Sequence, residues 1–486
     1  MIQLPQPDPG VLSRRAAIVA ALNDALPGAV IDDPAETRAY ECDALTAYRC
    51  PPLAVVLPRS TEEVSRLMRL CHDLRVPVVP RGAGTSLAGG SMPTEDAVVI
   101  GLSRMTEVLE IAPEDRMIRV QAGRTNLAVS GAVDHLGFFY APDPSSQLAC
   151  AIGGNIAMNS GGAHCLKYGV TTNNLLGVTL VLMDGSVVEL GGPMGEAPGL
   201  DLLGVVCGSE GQLGIVTEAS LRILPRPAGA RPVLVAFDAT ETAGACVAAI
   251  IRAGVLPVAI EFMDRPCILA TEAHCGAGYP DCEALLIVEV EGTPTEIDEQ
   301  LALIRDIALR FDPIEFRESR SDDEARRIWL GRKSAFGAMG SLGDYICLDG
   351  TIPVNALPQV LAGITDLSRR YGLAVSNVFH AGDGNMHPLI IFDANKPGDL
   401  DRAEALGADI LRLCVEMGGC LTGEHGVGIE KRDLMHVQFA APDLEAQMRV
   451  KDAFDPHWLL NAAKVFPLDA SAPRRERRLN RPADAA

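Results

Sequence analysis

The chain has 486 residues, more than a single hydrophobic core usually serves, so two or three domains are expected. Its net charge of -21 argues against nucleic acid and against unaided adhesion to an anionic membrane. The 13 cysteines contain no C-x-x-C pair, which excludes a local iron-sulfur cluster and points to a reducing, cytoplasmic compartment rather than a disulfide framework.

Residues 1–47 read as a helical lead-in to a first domain. The apolar run Leu53 to Leu57 predicts a strand, and Ser60 with Glu63 three residues on predicts a capped helix start. Val76 to Val79 predicts a second strand that runs directly into Pro80-Arg81-Gly82-Ala83-Gly84-Thr85-Ser86-Leu87-Ala88-Gly89-Gly90. This loop lacks the third glycine of the dinucleotide fingerprint and the Gly-Lys-Ser/Thr of a P-loop. What it offers is a run of backbone N–H donors beside Arg81, Thr85 and Ser86, suited to a pyrophosphate. Short strands at Ala97–Ile100, Val108–Ile111 and Met117–Gln121 and a helix near Thr125–His135 follow, and Leu224-Pro225-Arg226-Pro227-Ala228-Gly229 marks a linker.

Beyond the linker, strands at Val233–Phe237, Val258–Met263 and Leu285–Val290 alternate with helices at Thr240–Gly254 and Thr295–Phe311, where Ile297, Leu301 and Ile304 keep helical spacing. An antiparallel sheet flanked by helices is expected. Another cycle runs from Tyr345–Ile352 through a helix to Ala374–Phe379, which delivers His380 at a strand end. The domain bounds expected are 1–228, 229–423 and a closing segment 424–467, with 468–486 a disordered, arginine-rich tail. No uncharged apolar run approaches the roughly 18 residues of a spanning helix, so no direct membrane span is expected.

The stretch His380-Ala381-Gly382-Asp383-Gly384-Asn385-Met386-His387, with Gly423-Glu424-His425-Gly426 downstream, gathers three of the nine histidines and a carboxylate among glycines. Imidazoles and a carboxylate that leave coordination positions open are the make-up of a metal-assisted site. Asp383 and Asn385 could equally shape the turn through their own side chains. Arg332 is either a solvated helix charge or a carboxylate anchor.

Three more segments complete the pattern: Pro142-Asp143-Pro144-Ser145-Ser146; Gly153-Gly154-Asn155-Ile156-Ala157-Met158-Asn159-Ser160-Gly161-Gly162 with Lys167-Tyr168-Gly169; and Gly208-Ser209-Glu210-Gly211-Gln212-Leu213-Gly214-Ile215-Val216-Thr217. With these the chain resembles the vanillyl-alcohol oxidase / p-cresol methylhydroxylase superfamily of flavoenzymes. The match is to its D-2-hydroxyacid branch, which includes the FAD-binding subunits of bacterial glycolate oxidases. It runs from about Pro51 to Pro467. The resemblance implies an α+β fold: a two-part FAD-binding domain of the p-cresol methylhydroxylase type, plus a substrate domain with an antiparallel sheet flanked by helices.

It further implies that residues Pro80, Arg81, Gly82, Ala83, Gly84, Thr85 and Ser86 bind the FAD pyrophosphate. Pro144, Ser145, Gly153, Gly154, Asn159, Ser160, Gly162, Tyr168, Gly169, Glu210, Gly214, Ile215 and Val216 contribute the rest of the cofactor site, with Asn461 in the closing segment. Many relatives tether FAD through a histidine where this chain has Thr85, so the cofactor is expected to be noncovalent. By the same resemblance His380, His387 and Glu424 are metal ligands for Zn2+, His425 is the acid/base and Arg332 anchors the substrate carboxylate, while Asn385 is also placed to touch substrate or flavin. Relatives specific for D-2-hydroxyglutarate carry a lysine before a Tyr-Asp pair, whereas this chain reads Ile346-Cys347-Leu348-Asp349-Gly350-Thr351. Glycolate, then D-lactate, is the substrate expected, with D-2-hydroxyglutarate or strict D-lactate oxidation as the alternative. An iron-sulfur subunit and a second flavin-type subunit are the partners expected, and through them a peripheral place at the inner membrane. A flavoprotein with a dead redox site would lack the histidines, and a flavin-free metallohydrolase would lack the glycine loops.

Overall fold

The structure is a computed structural model that describes residues 2–193 and 199–476. By contacts the chain divides into two units. One holds Ile2–Ser160, Val170–Pro225 and the chain from Glu424 onward; the other holds Gly161–Gly169 and Arg226–Gly423.

In the first unit, Ala54–Val56 and Val78–Arg81 both run parallel to Val98–Gly101, and Val30–Ile31 closes one edge antiparallel. Ala54–Val56 and Val98–Gly101 are buried along their whole length, as strands with both faces covered must be. Helix Thr61–Leu74 connects the first two parallel strands. The Ser60 side chain accepts from the Glu63 N–H at its start, and Arg75 ends it in a left-handed conformation. The other edge, Val78–Arg81, is covered by the closing segment: Val78 N–H donates to the Leu459 carbonyl and Asn461 N–H to the Val78 carbonyl.

A second, antiparallel sheet has the order Val108–Ala112, Met117–Gln121, Ile215–Arg222, Leu175–Val181, Val187–Gly191. The last three of these strands are additional to those read from the sequence. One apolar core, including Val56, Leu67, Val98, Ile118, Val178 and Leu221, serves both sheets. The lead-in is not purely helical. Helices Pro9–Leu12, Arg15–Ala25 and Pro34–Thr37 are broken by the edge strand Val30–Ile31.

The second unit is built on an antiparallel sheet in the order Glu315–Glu318, Gly229–Phe237, Ala284–Gly292, Ala259–Asp264, Val375–His380, Asn385–Met386, Gly350–Thr351. Alternate residues on each strand point to opposite faces. Val233, Val235, Phe237, Ile260, Phe262, Leu286, Val288 and Phe379 share a core with residues of helices Thr240–Arg252, Pro294–Ala308, Leu357–Tyr371 and Asp399–Glu416. The intervening residues Glu261, Glu289, Glu291 and His380 therefore face the other way, and all four are buried. Helix Asp322–Met339 meets them there, Arg332 against Glu261 and Trp329 against Glu289.

The expected disorder from residue 468 is corrected in part. Leu468–Arg475 is a helix, and Arg474 is bound by Glu445 and Asp452 at 2.6 and 2.9 Å. Those two carboxylates offset the arginine charge that reads as solvated tail. Residues 477–486 lie outside the described residues.

Candidate functional site

In the first unit the glycine loop leaves the end of strand Val78–Arg81. Among the described residues, the amide N–H groups of residues 82 to 87 donate to no protein acceptor. Such a run of unspent donors fits an anionic phosphate. Arg81 itself is buried, its Nη1 donates to the Cys42 carbonyl at 2.8 Å, and its guanidinium lies over the Tyr40 ring. The Ser86 hydroxyl accepts from the Ala88 and Gly90 N–H groups, so it shapes the loop while keeping its own proton to donate. A Cβ on Gly82 would come 3.3 Å from Ala151 Cβ and 3.5 Å from Gly154 N, which places the Gly153-Gly154 segment beside the loop. A Cβ on Gly154 would meet open space.

Pro144 is buried and Ser145 exposed in a turn closed by the Gln147 N–H. Asn159 adopts a left-handed conformation at the end of helix Ile152–Met158, and its Oδ1 accepts from the Thr172 N–H at 2.8 Å. Ser160 gives its carbonyl to the Thr171 hydroxyl. Gly214 packs on Leu180, and Ile215 and Val216 pair with Val181 and Leu180 in the antiparallel sheet.

The Glu210 side chain is buried. Its carboxylate accepts from the Val427 and Gly428 N–H groups, each at 2.7 Å, and so holds the chain just after the Glu424-His425 pair. Burial pushes its carboxyl above the ordinary range, opposed by those two bonds and by Lys431 and Lys464. Gly426 has φ +85°, and a Cβ there would lie 2.9 Å from Glu210 Cδ, so only glycine fits that turn. Asn461 is likewise internal: its Nδ2 donates to the Gly90 and Glu210 carbonyls, and its Oδ1 accepts from Lys464 Nζ at 2.7 Å. Burial lowers the Lys464 ammonium to about 7.

In the second unit the register Glu261↔His380 sets a carboxylate directly opposite an imidazole. Glu261 is fully buried. Its Oε1 lies 2.7 Å from His380 Nδ1, and its Oε2 lies 2.7 Å from both Nε and Nη2 of Arg332. Burial alone would raise this carboxyl, yet the charges and hydrogen bonds of His380 and Arg332 hold it below its ordinary value. Arg332 is therefore not a solvated helix charge. It is 4 % exposed, and its Nη2 makes no well-aligned hydrogen bond within the protein. The His380 and His387 rings meet edge to face, 5.2 Å between centroids.

Asp349 lies 3.5 Å from His387 Nε2 and accepts from the Gly423 N–H at 3.0 Å and from the Thr422 hydroxyl. Glu424 and His425 are the next two residues of the chain, with His425 Nε2 3.9 Å from Glu424 Oε1. Asn385 pairs with His380 across a tight turn, where its N–H bonds Asp383 Oδ1. The Asn385 Oδ1 is buried without a hydrogen-bond partner, and a Cβ on Gly423 would collide with that side chain at 2.5 Å. The imidazoles and buried carboxylates suit a divalent ion, and His380 already has the carboxylate support behind it that a metal-bound histidine uses.

Gly162, Tyr168 and Gly169 belong to this second unit. Tyr168 donates to Glu291, which also pairs with Lys167 at 2.9 Å, while His164 lies 3.1 Å from Glu289. Sequence reasoning missed Glu261, Asp349, Glu289 and Glu291. For the three glutamates the available signal was an acid on alternate positions of otherwise apolar strands, a pattern that normally marks a solvent face.

Two family models match the chain: "FAD binding domain" over residues 52–191 and "FAD linked oxidases, C-terminal domain" over 226–465. The chain is 49% identical to the glycolate oxidase subunit GlcD of Escherichia coli K12 over 456 residues, covering 93% of this chain and 91% of that one. It is 36% identical to the GlcD of Bacillus subtilis, covering 90% and 94%. A D-lactate dehydrogenase of Anaerostipes hadrus is 29% identical, covering 87% and 91%. Among solved structures, p-cresol methylhydroxylase with substrate bound superposes with a TM-score of 0.78 at 17% identity, covering 96% of this chain and 99% of that one, which establishes the fold.

The Glu210 staple generates a direct test. In Glu210→Gln one of the two N–H groups would face an amide donor, and losing a hydrogen bond to a charged group costs about 1.5–3 kcal/mol. The variant should lose about that much stability in urea unfolding. Unchanged stability would mean that the staple does not hold the 427–428 turn.

Proposed function

The chain belongs to the FAD-linked oxidase family, and on that premise we propose that it oxidises a short D-2-hydroxy acid, glycolate first and D-lactate second, to the 2-oxo acid. It is an FAD-dependent oxidoreductase acting on a CH–OH group. The observation that carries the substrate reading is Arg332, a buried guanidinium with an N–H left to give, fixed beside His380. A buried, planar fork is the group that recognises a carboxylate.

Each residue then has one task. FAD, held noncovalently by the loop 80–86 with Thr85 in place of a tethering histidine, supplies the hydride acceptor when bound. His380, His387 and Glu424 would hold a divalent ion, Zn2+ by the donor set, whose charge would favour loss of the hydroxyl proton. Arg332 binds the substrate carboxylate. His425 takes the hydroxyl proton on a ring nitrogen. Asn385 offers its buried side-chain oxygen to the substrate. Asp349 is added to the expected set as a carboxylate beside His387.

The relatives named as glycolate oxidase subunits support a multisubunit setting. The 13 cysteines form no disulfide among the described residues and carry no cluster motif, so an iron-sulfur subunit and a second flavin-type subunit are proposed to carry the electrons away. No helix of the described residues is long and apolar enough to cross a membrane. A cytoplasmic protein, peripheral to the inner membrane through those partners, is the arrangement proposed.

His425→Ala should lower turnover about 100- to 10,000-fold, the usual cost of a positioned base. Chelation should suppress turnover while the flavin spectrum stays nearly unchanged. A metal-free protein with full activity, or His425→Ala turning over normally, contradicts the metal-and-base mechanism.

Specificity follows from Cys347. This thiol is buried at the end of strand Asp344–Cys347, within reach of the Leu348 carbonyl, where hydroxyglutarate-specific relatives carry a lysine. A second substrate carboxylate buried without a partner costs several kcal/mol, a discrimination of about 100-fold or more in kcat/KM. Measured with an artificial acceptor, glycolate should exceed D-2-hydroxyglutarate by at least that factor, and Cys347→Lys should narrow the gap. D-2-hydroxyglutarate as the best substrate would overturn the short-acid reading.

A further inference from the structure

Glu261 touches both the proposed carboxylate anchor, Arg332, and a proposed metal ligand, His380. We infer that Glu261 is a positioning residue that presets both at once: it fixes the tautomer and ring plane of His380, and it turns Arg332 so that only one edge of its guanidinium faces substrate. The inference rests on the reading of His380 as a metal ligand and Arg332 as the carboxylate anchor.

The geometry behind it is specific. Glu261 has two oxygens and spends them on different partners, Oε1 on His380 Nδ1 at 2.7 Å and Oε2 on Arg332 Nε at 2.7 Å. Carboxylate pairing at Nδ1 places the ring proton there and leaves the Nε2 lone pair for a ligand. With Nε and Nη2 of Arg332 both turned to Oε2, the side edge of the guanidinium is committed. The edge left for a ligand is the outer one, formed by Nη1 and the second N–H of Nη2, which receives one carboxylate end-on.

Neither partner can relax away. Arg332 is held on helix Asp322–Met339, 6.0 Å over the Phe336 ring, and His380 is held in register with both Glu261 and Asn385. Glu261 itself sits on the central strand Ala259–Asp264, paired along both edges. Metal and substrate would therefore meet at a spacing set by one carboxylate on a rigid strand.

The test uses the FAD-loaded protein as wild type, Glu261→Gln and Glu261→Asp. Three quantities are read: Zn2+ affinity after chelator stripping, by competition with a chromophoric chelator; KM and kcat for glycolate; and the melting temperature. In Glu261→Gln one amide face must serve each partner. With oxygen toward Arg332, the NH2 meets Nδ1 and drives the ring to the wrong tautomer for a ligand at Nε2. Zn2+ affinity should fall about 10- to 100-fold, as for other residues that orient metal ligands. KM should rise about tenfold, with the visible flavin spectrum as in wild type. Glu261→Asp keeps the charge but is one methylene short, so it should recover part of the metal affinity and little of the KM.

A Glu261→Gln protein with Zn2+ affinity and KM within about twofold of wild type, differing only in melting temperature, overturns the inference and leaves a purely structural carboxylate. If that variant fails to fold, Glu261→Asp carries the same readouts, and wild-type values for both would overturn it equally. Wild-type protein that binds no Zn2+ would instead sink the metal reading itself, an outcome the wild-type titration separates from the others.

Discussion

A carboxylate removed from water is costly unless opposite charge and hydrogen bonds meet it, and Glu261 is such a group. Its two partners come from distant parts of the chain, Arg332 71 residues away and His380 119 residues away. Bringing them together requires the strand pairing Glu261↔His380 and the placement of helix Asp322–Met339 on the sheet face opposite the apolar core. A one-residue slip of either strand would turn one of the pair into the apolar core and leave the other buried and unpaired. The ion-paired triad and the register of the sheet therefore specify one another.

Buried carboxylates recur as the device that fixes loops in both units. Glu210 holds the turn after the Glu424-His425 pair by two backbone N–H bonds. Asp349 holds Thr422 and Gly423 just before that pair. Glu289 and Glu291 grip His164, Lys167 and Tyr168 in the short excursion Gly161–Gly169. In each case a charge that would be unfavourable alone is matched by donors whose positions it then dictates. Loops rich in glycine need such anchors, because glycine leaves the backbone with the most freedom to lose.

The architecture was largely legible in the sequence. The alternation of strands with helices from Val233 onward pointed to the antiparallel sheet, and Ser60 with Glu63 to a helix start. The glycine-rich segments and the histidines marked the candidate site, since those residue types carry chemistry that periodicity does not explain. Glu261 and Asp349 were not legible, because their partners are remote in sequence; Glu261 in addition is an isolated acid in an apolar strand, which reads as solvent-facing. Glu210 and Asn461 were marked by the family pattern, while the bonds their side chains make, to the 427–428 turn and to the Gly90 and Glu210 carbonyls, were not legible. The helix Leu468–Arg475 was masked by Pro473 and by arginines whose acidic partners, Glu445 and Asp452, lie in another helix.

The central claim is that substrate oxidation and flavin reduction are one event on this chain, supported by a bound metal. Anaerobic titration of the purified yellow protein with glycolate tests it most directly, followed by flavin absorbance and by assay of the 2-oxo acid formed. The account predicts full bleaching with one 2-oxo acid formed per flavin reduced, and loss of bleaching after chelation that Zn2+ restores. A flavin that stays oxidised under glycolate and D-lactate in the metal-replete protein would contradict it.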